Sequence, residues 1–281
     1  MAVQRRKVEL ILDGFVLSPG STQVLGIGSR DLLMGVEWLK SEIAARNLPS
    51  VLSNASCGST LFPTVQIVTI KQTRFAFYGM LSPSNKDLLE KCTIENPSTW
   101  LKQNKADADA HIVFADLSSS EIKDLISESD LIIETQIGKT TAYPQSLSAN
   151  TVWVGGGQKG KSLVELSLGM NGGFGFQDVQ IQKRLTEDLD RQNNRLAELQ
   201  KKQTNEKLNS PAHKRYALQI NYSKTKIEEL LKEVESFQNS NVHANTITQS
   251  NISLNDTIPD WSPIGPIVEQ TNKDITIIQN Q

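Results

Sequence analysis

The sequence predicts an α/β layered domain over residues 8–170, an antiparallel helical hairpin over 177–238 and an irregular tail over 239–281. Three observations predict it. Short runs of β-branched and aromatic residues alternate with helically spaced apolar residues through the first part, which is the pattern of strands packed against helices. Beyond Gln177 the apolar residues recur at steps of four and three, as on a helix that buries one narrow stripe. After Phe237 the chain turns polar, with several prolines and few aromatics.

The strand runs are Val51–Asn54, Val65–Ile70, Phe75–Met80, His111–Ala115, Leu131–Ile133, Thr151–Val154 and Leu163–Leu168, each bounded by turn residues. Between them, Leu33–Arg46 places Val36, Leu39, Ile43 and Ala44 on one helical face. Ser119–Ser127 does the same with Ile122, Leu125 and Ile126, and its serine-rich start serves as an N-terminal signal although Ser120 followed by Lys123 supplies no capping-box acid. Trp38, Trp153 and His111 fit core roles beside or within these runs.

In the second part Leu185, Leu189, Gln192, Leu196, Leu199 and Gln203 form the first stripe. Asn209-Ser210-Pro211 breaks the helix, and Tyr216, Ile220, Ser223, Ile227, Leu230, Val234 and Phe237 form the second. Pairing the two helices as a coiled-coil-like hairpin hides both stripes. The glycine-rich Met170–Phe176 segment before them reads as a hinge. In the tail, Trp261 among prolines is expected to dock on the domain, and the last residues to fray.

With 281 residues and 38% hydrophobic residues the chain holds enough apolar side chains for a core. A net charge of −2 gives no global attraction to nucleic acid or to an anionic membrane. No segment reaches the roughly 20 apolar residues of a membrane span. The run behind Arg5-Arg6-Lys7 is interrupted by Glu9, Asp13 and Gly14, so it lacks the apolar centre of a signal peptide. A cytoplasmic location is the default expectation, and an exported one follows if an upstream segment is missing. Cys57 and Cys92 are outside any Cys-x-x-Cys spacing, and two buried thiols are expected rather than a disulfide.

The stretch from Val24 to Leu39 contains Gly28-Ser29-Arg30-Asp31-Leu32-Leu33-Met34-Gly35, shaped like a metal-ligand loop but without histidine. Metal-dependent phosphoesterases cluster imidazole, carboxylate and amide groups because those donors offset the dehydration of the ions. This chain has only His111, His213 and His243, far apart in sequence.

These residues, taken in order, resemble the 5′-nucleotidase branch of the calcineurin-like metallophosphoesterases. The Gly28–Gly35 octet is similar to the family's Gly-Asn-His-Glu/Asp-Phe-Asp-x-Gly in length and in both glycines. Leu48-Pro49-Ser50-Val51-Leu52-Ser53-Asn54, Leu61-Phe62-Pro63 and Phe75–Pro83 resemble the segments that follow it. Ala110–Ser118 sits where the family has a strand ending in Ser-His-Leu-Gly, and Asp130–Gly138 where it has Asp-x-Ile-x-Gly-Gly-His-x-His. Val154–Leu163 resembles the next glycine turn. The likeness covers about 160 residues and rests on joint order and spacing.

The resemblance implies a partial metallophosphoesterase-like layered sheet whose opening Asp-x-His and Gly-Asp motifs lie upstream, with the chain starting inside the helix before Gly28. It also implies a damaged site. The family's Asn and His fall on Ser29 and Arg30, Asp31 keeps its acid, and the later histidines fall on Asp116, Gln136 and Gly138. Asp31, Asp116 and Gln136 are the surviving candidates for a hard cation, with Asp31 and Arg30 as candidate catalytic groups. Arg30 is either a phosphate contact or, preferentially, the partner of Asp31 or another acid. Gly155-Gly-Gly157 with Lys159 and Lys161 reads as a tight turn in preference to an anion nest.

Two functions follow. One is a catalytically degenerate module that binds or assembles, through a phosphate-containing ligand in the old cleft and a protein partner on the hairpin, with no cofactor. The other is an active metal-dependent phosphoric ester hydrolase that uses Mn, Zn or Mg in a rearranged or partner-completed site. Loss of several ligands favours the first.

Overall fold

Helices and strands alternate through the first two thirds of the structure, a computed structural model that describes residues 2–17, 23–59, 62–87, 89, 92–135, 144–148, 150–155, 162–173, 175–239, 245–253 and 265–279. Helix α1 (Ala2–Leu17) leads to strand β1 (Leu25–Gly26), the single-turn α2 (Ser29–Leu32) and α3 (Val36–Ala45). Strands β2 (Ser50–Val51), β3 (Ala55–Cys57), β4 (Gln66–Ile70) and β5 (Thr73–Leu81) follow. A 3₁₀ turn (Pro83–Asp87) precedes β6 (Cys92–Ile94), α4 (Pro97–Asn104), β7 (Ala110–Asp116), α5 (Ser119–Asp124) and β8 (Leu131–Glu134). Then come β9 (Gln145–Ser146), β10 (Val152–Gly155), β11 (Ser162–Gly169) and β12 (Phe176–Asp178). Helices α6 (Ile181–Thr204) and α7 (Pro211–Asn239), strand β13 (Asn245–Ser253) and helix α8 (Gly265–Gln279) complete the described elements. The fold class is α/β.

The main sheet runs β4-β5-β7-β8-β10-β9, with β5, β7, β8 and β10 parallel and the two outer strands antiparallel. Its central strands are apolar on both faces, as parallel strands covered on both sides must be. One face sets Tyr78, Val113 and Ile132 against Trp100 and Leu101 of α4 and Ile122 of α5. Helix α4 starts where Asn96 accepts a hydrogen bond from the Thr99 amide and Pro97 takes the first turn. Helix α5 does have a capping box, Ser118 with Glu121, two residues before the serine expected to start it. The other face sets Phe75, Ile112, Leu131 and Val154 against Phe176 and Ile247 of a second sheet.

A smaller layer covers the ends of β5 and β7. Strands β1 and β2 pair in parallel, and Leu12, Leu39, Ile43, Leu52 and Leu81 form its core. Two glycines let it approach. A Cβ on Gly79 would stand 2.4 Å from the Val51 carbonyl oxygen, and one on Gly26 would stand 2.7 Å from the Phe114 side chain. Buried Asn54 then links the layers, accepting from the Leu81 amide at 2.8 Å and donating to the Leu81 and Glu95 carbonyls at 2.8 and 2.7 Å.

Two expectations are corrected here. Cys57 and Cys92 are a disulfide, because they stand directly opposite each other in the antiparallel β3–β6 pair. That register places the two side chains on the same side of the pair, which no sequence spacing could reveal. The segment after 239, expected to be irregular, contains both β13 and α8. Strand β13 lies between β11 and β12 in the three-stranded sheet β11-β13-β12, and Ile247 is fully buried there. Both neighbours thereby pair backbone groups that would otherwise be left open. Helix α8 packs on α1, with Asp274 paired to Arg6. Trp261 lies outside the described residues.

Helices α6 and α7 pack against each other across the connection Asn205–Ser210. Leu185, Leu199, Ile220 and Leu230 are buried between them, and the other described stripe positions are half-buried apart from Ser223, which is fully buried. Asn209 adopts a left-handed φ of 65°, which ends the turn, and Pro211 starts α7. Among the described residues no helix is long and apolar enough to cross a membrane.

Candidate ligand cleft

A cavity of about 830 Å³ opens at the C-terminal ends of β1 and β7, where open α/β sheets present their binding crevices. Helix α1 walls one side with Gln4 and Val8, Phe114 forms part of the floor, and Asn85 and Thr135 reach it from the 3₁₀ turn and the end of β8. The segment Gly26–Asp31 runs along its rim. Strand alternation decides which acids reach it. Asp116 shares a face of β7 with Phe114 and lines the cavity, whereas fully buried Glu134 shares a face of β8 with Ile132, toward the α4 and α5 layer.

Ser29 and Asp116 are joined at the centre of this rim. The Ser29 amide and hydroxyl both donate to Asp116 Oδ2, at 2.8 and 2.5 Å. Asp31 folds back over the start of α2 and accepts the Gly28 amide on Oδ2 at 2.9 Å. Gly28 sits between the two carboxylates: a Cβ there would be 3.4 Å from Asp31 Oδ2 and 3.7 Å from Asp116 Oδ2. Burial pushes the Asp31 carboxyl above its ordinary value, the Gly28 hydrogen bond opposes this, and the Asp116 charge adds to the rise.

Arg30 is exposed at the cavity mouth. Contrary to the preferred expectation, it makes no ion pair with Asp31 or any other acid among the described residues. The short helix α2 turns the Asp31 carboxylate inward to the Gly28 amide and leaves the neighbouring side chain to solvent. The structure thus brings Arg30, Asp31 and Asp116 to one cavity. Gln136 and Gly138 lie outside the described residues, as do Gly156, Gly157, Lys159 and Lys161.

Among the described residues the donors at the cleft are fewer than a pair of metal ions needs. Asp31 and Asp116 are two carboxylates, one already tied by two donors of Ser29, and among the described residues no group of three His, Cys, Asp or Glu side chains stands together. His111 is in the core, its amide on Asp130 at 2.7 Å and its Nδ1 3.2 Å from the Tyr78 hydroxyl. Burial, then Lys105, lowers its pKa, against the nearby charges of Asp130 and Glu128, as for a structural group in the core. His213 lies in α7, away from the cleft. Trp38 is only half-buried, with the Arg5 guanidinium 4.9 Å above its ring.

Sequence reasoning marks Ser29 only as a lost ligand; its hold on Asp116 comes from a residue 87 positions away. Gln4, Asn85 and Thr135 are not singled out either, since nothing in their local pattern marks them. The Gly28-Ser-Arg-Asp31 order does carry a readable signal, an acid at the third helical position.

No protein-family profile matches the chain. No curated protein matches it either. Among solved structures it is similar to a "putative 5′-nucleotidase" from Staphylococcus aureus, solved in complex with α-ketoglutarate, at 13% identity and a TM-score of 0.46. That alignment covers 57% of this chain and 36% of the other, so this chain spans about a third of that protein's length. A hypothetical protein from Thermus thermophilus aligns at 11% identity and a TM-score of 0.33, over 56% of this chain and 71% of its own.

Proposed function

We propose that this chain is a metallophosphoesterase-like module that binds or assembles and does not hydrolyse. The cleft at β1 and β7 takes a phosphate-containing ligand through Arg30, and the hairpin of α6 and α7 offers a protein partner its exposed Leu218 and Tyr222, one turn apart on α7. The Ser29 contact to Asp116 carries this reading. A carboxylate already accepting two hydrogen bonds on one oxygen is engaged in holding the loop, and the described donors around it are too few to bind and activate water between two ions.

The observation that favours a hydrolase instead is the meeting of Asp31 and Asp116 at one cavity, which a partner chain would have to complete. Elemental analysis of the purified chain, with turnover of AMP and of an aryl phosphate in added Mn²⁺, Zn²⁺ or Mg²⁺, separates the two. The expected result is substoichiometric metal and no turnover sensitive to chelator, with AMP binding weakened by Arg30→Ala. Stoichiometric metal with chelator-sensitive turnover overturns it.

A further inference from the structure

A second cavity, of about 760 Å³, has the Cys57–Cys92 disulfide in its wall together with Arg5, Glu37, Trp38 and Gly58. We propose that this is a site of exchange with a low-molecular-weight thiol, which forms a mixed disulfide on Cys92. It is a different cavity from the cleft at Asp116, with Leu33 in the wall of both, and the proposal does not depend on the function assigned to that cleft.

Three observations support the assignment. The sulfurs differ in access: Cys57 is 4% exposed and packed among Leu39, Leu52 and Leu89, whereas Cys92 is half-buried beside that cluster. The disulfide joins strands of three residues each in a sheet of two strands, so opening it leaves the ladder of the main sheet intact. The Arg5 guanidinium lines the same cavity, held by two hydrogen bonds to the Met34 carbonyl at 3.0 and 2.8 Å. A fixed cation in the cavity wall draws an anionic thiolate in, against the opposing charge of Glu37 in the same wall.

The chemistry balances without another reagent. A thiolate attacks Cys92 Sγ, the bond to Cys57 Sγ breaks, and the electron pair leaves on Cys57, which takes a proton from water. The products are a mixed disulfide on Cys92 and a free Cys57 thiol. Return attack by Cys57 on Cys92 expels the small thiol. A second thiol attacking the bound thiol's own sulfur instead releases an oxidised pair and leaves both cysteines reduced.

The test exposes the folded full-length chain to reduced glutathione, quenches with acid, alkylates free thiols with N-ethylmaleimide and maps both cysteines by mass spectrometry. The expected product carries glutathione on Cys92 and maleimide on Cys57, and forms no more than about tenfold slower than in the chain unfolded by urea. Arg5→Gln should slow the reaction with glutathione about threefold or more while changing that with neutral 2-mercaptoethanol less. An adduct only in urea, or one mapped to Cys57, overturns the proposal even if the variant does not fold.

Discussion

Ser29 and Asp116 hold each other across 87 residues, with the amide and the hydroxyl of the serine on one carboxylate oxygen at 2.8 and 2.5 Å. The contact ties the loop after β1 to the end of β7 and so sets the shape of the cleft. Ser29→Ala keeps the amide bond and removes the hydroxyl bond to a charged acceptor, so unfolding free energy should fall by about 1–2 kcal/mol. Urea denaturation monitored by circular dichroism reads this directly. An unchanged midpoint would mean that the hydroxyl contact contributes nothing and that the loop is held by backbone alone.

Asp31 gives the cleft a pH signature with an unusual sign. Its folded carboxyl is raised above the ordinary 3.8 by burial first and by the Asp116 charge, against the Gly28 hydrogen bond. The folded state therefore holds this proton more tightly than the unfolded chain does. Its contribution to stability is present below the unfolded value and is lost as pH rises from 3.8 through the folded value. Asp31→Asn keeps an acceptor for the Gly28 amide and cannot ionise. Between about pH 3 and pH 7, the stability of the natural chain minus that of the variant should decline with pH and then level off. A rising difference would mean that Gly28 outweighs burial.

Legibility follows the range of the interaction. His111–Ala115 and Leu131–Ile133 read as strands because a parallel strand buried on both faces leaves an apolar run in the sequence itself. The two stripes of α6 and α7 are equally plain, since each helix's period is local. Strand β13 escapes a sequence reading because Asn245-Thr-Ile-Thr-Gln is polar at four of its five positions, too few apolar residues to show an alternation, and owes its place to the open edges of β11 and β12. The Cys57–Cys92 bond escapes it for a related reason, being a consequence of the β3–β6 register. In the cleft, Asp31 and Asp116 emerge as candidates from their place in the motif order, while the Ser29 contact needs the meeting of two distant loops. Arg30 faces solvent instead of pairing with an acid, because local helix geometry assigns Asp31 to the backbone.

The hairpin carries the last prediction, at a residue whose chemistry opposes its position. Ser223 is fully buried between α6 and α7, and its Oγ has no hydrogen-bond partner among the described residues. A serine in a helix usually satisfies its hydroxyl on the carbonyl one turn back or in water. Leaving it dry and unpaired costs on the order of 1–3 kcal/mol. Ser223→Ala deletes the hydroxyl with almost no change in shape, leaving at most a space smaller than a methyl group. The variant should therefore be more stable than the natural chain by about 1 kcal/mol. Thermal unfolding of both chains at equal concentration checks it, and a lower midpoint for the variant would show that the hydroxyl has a partner in solution.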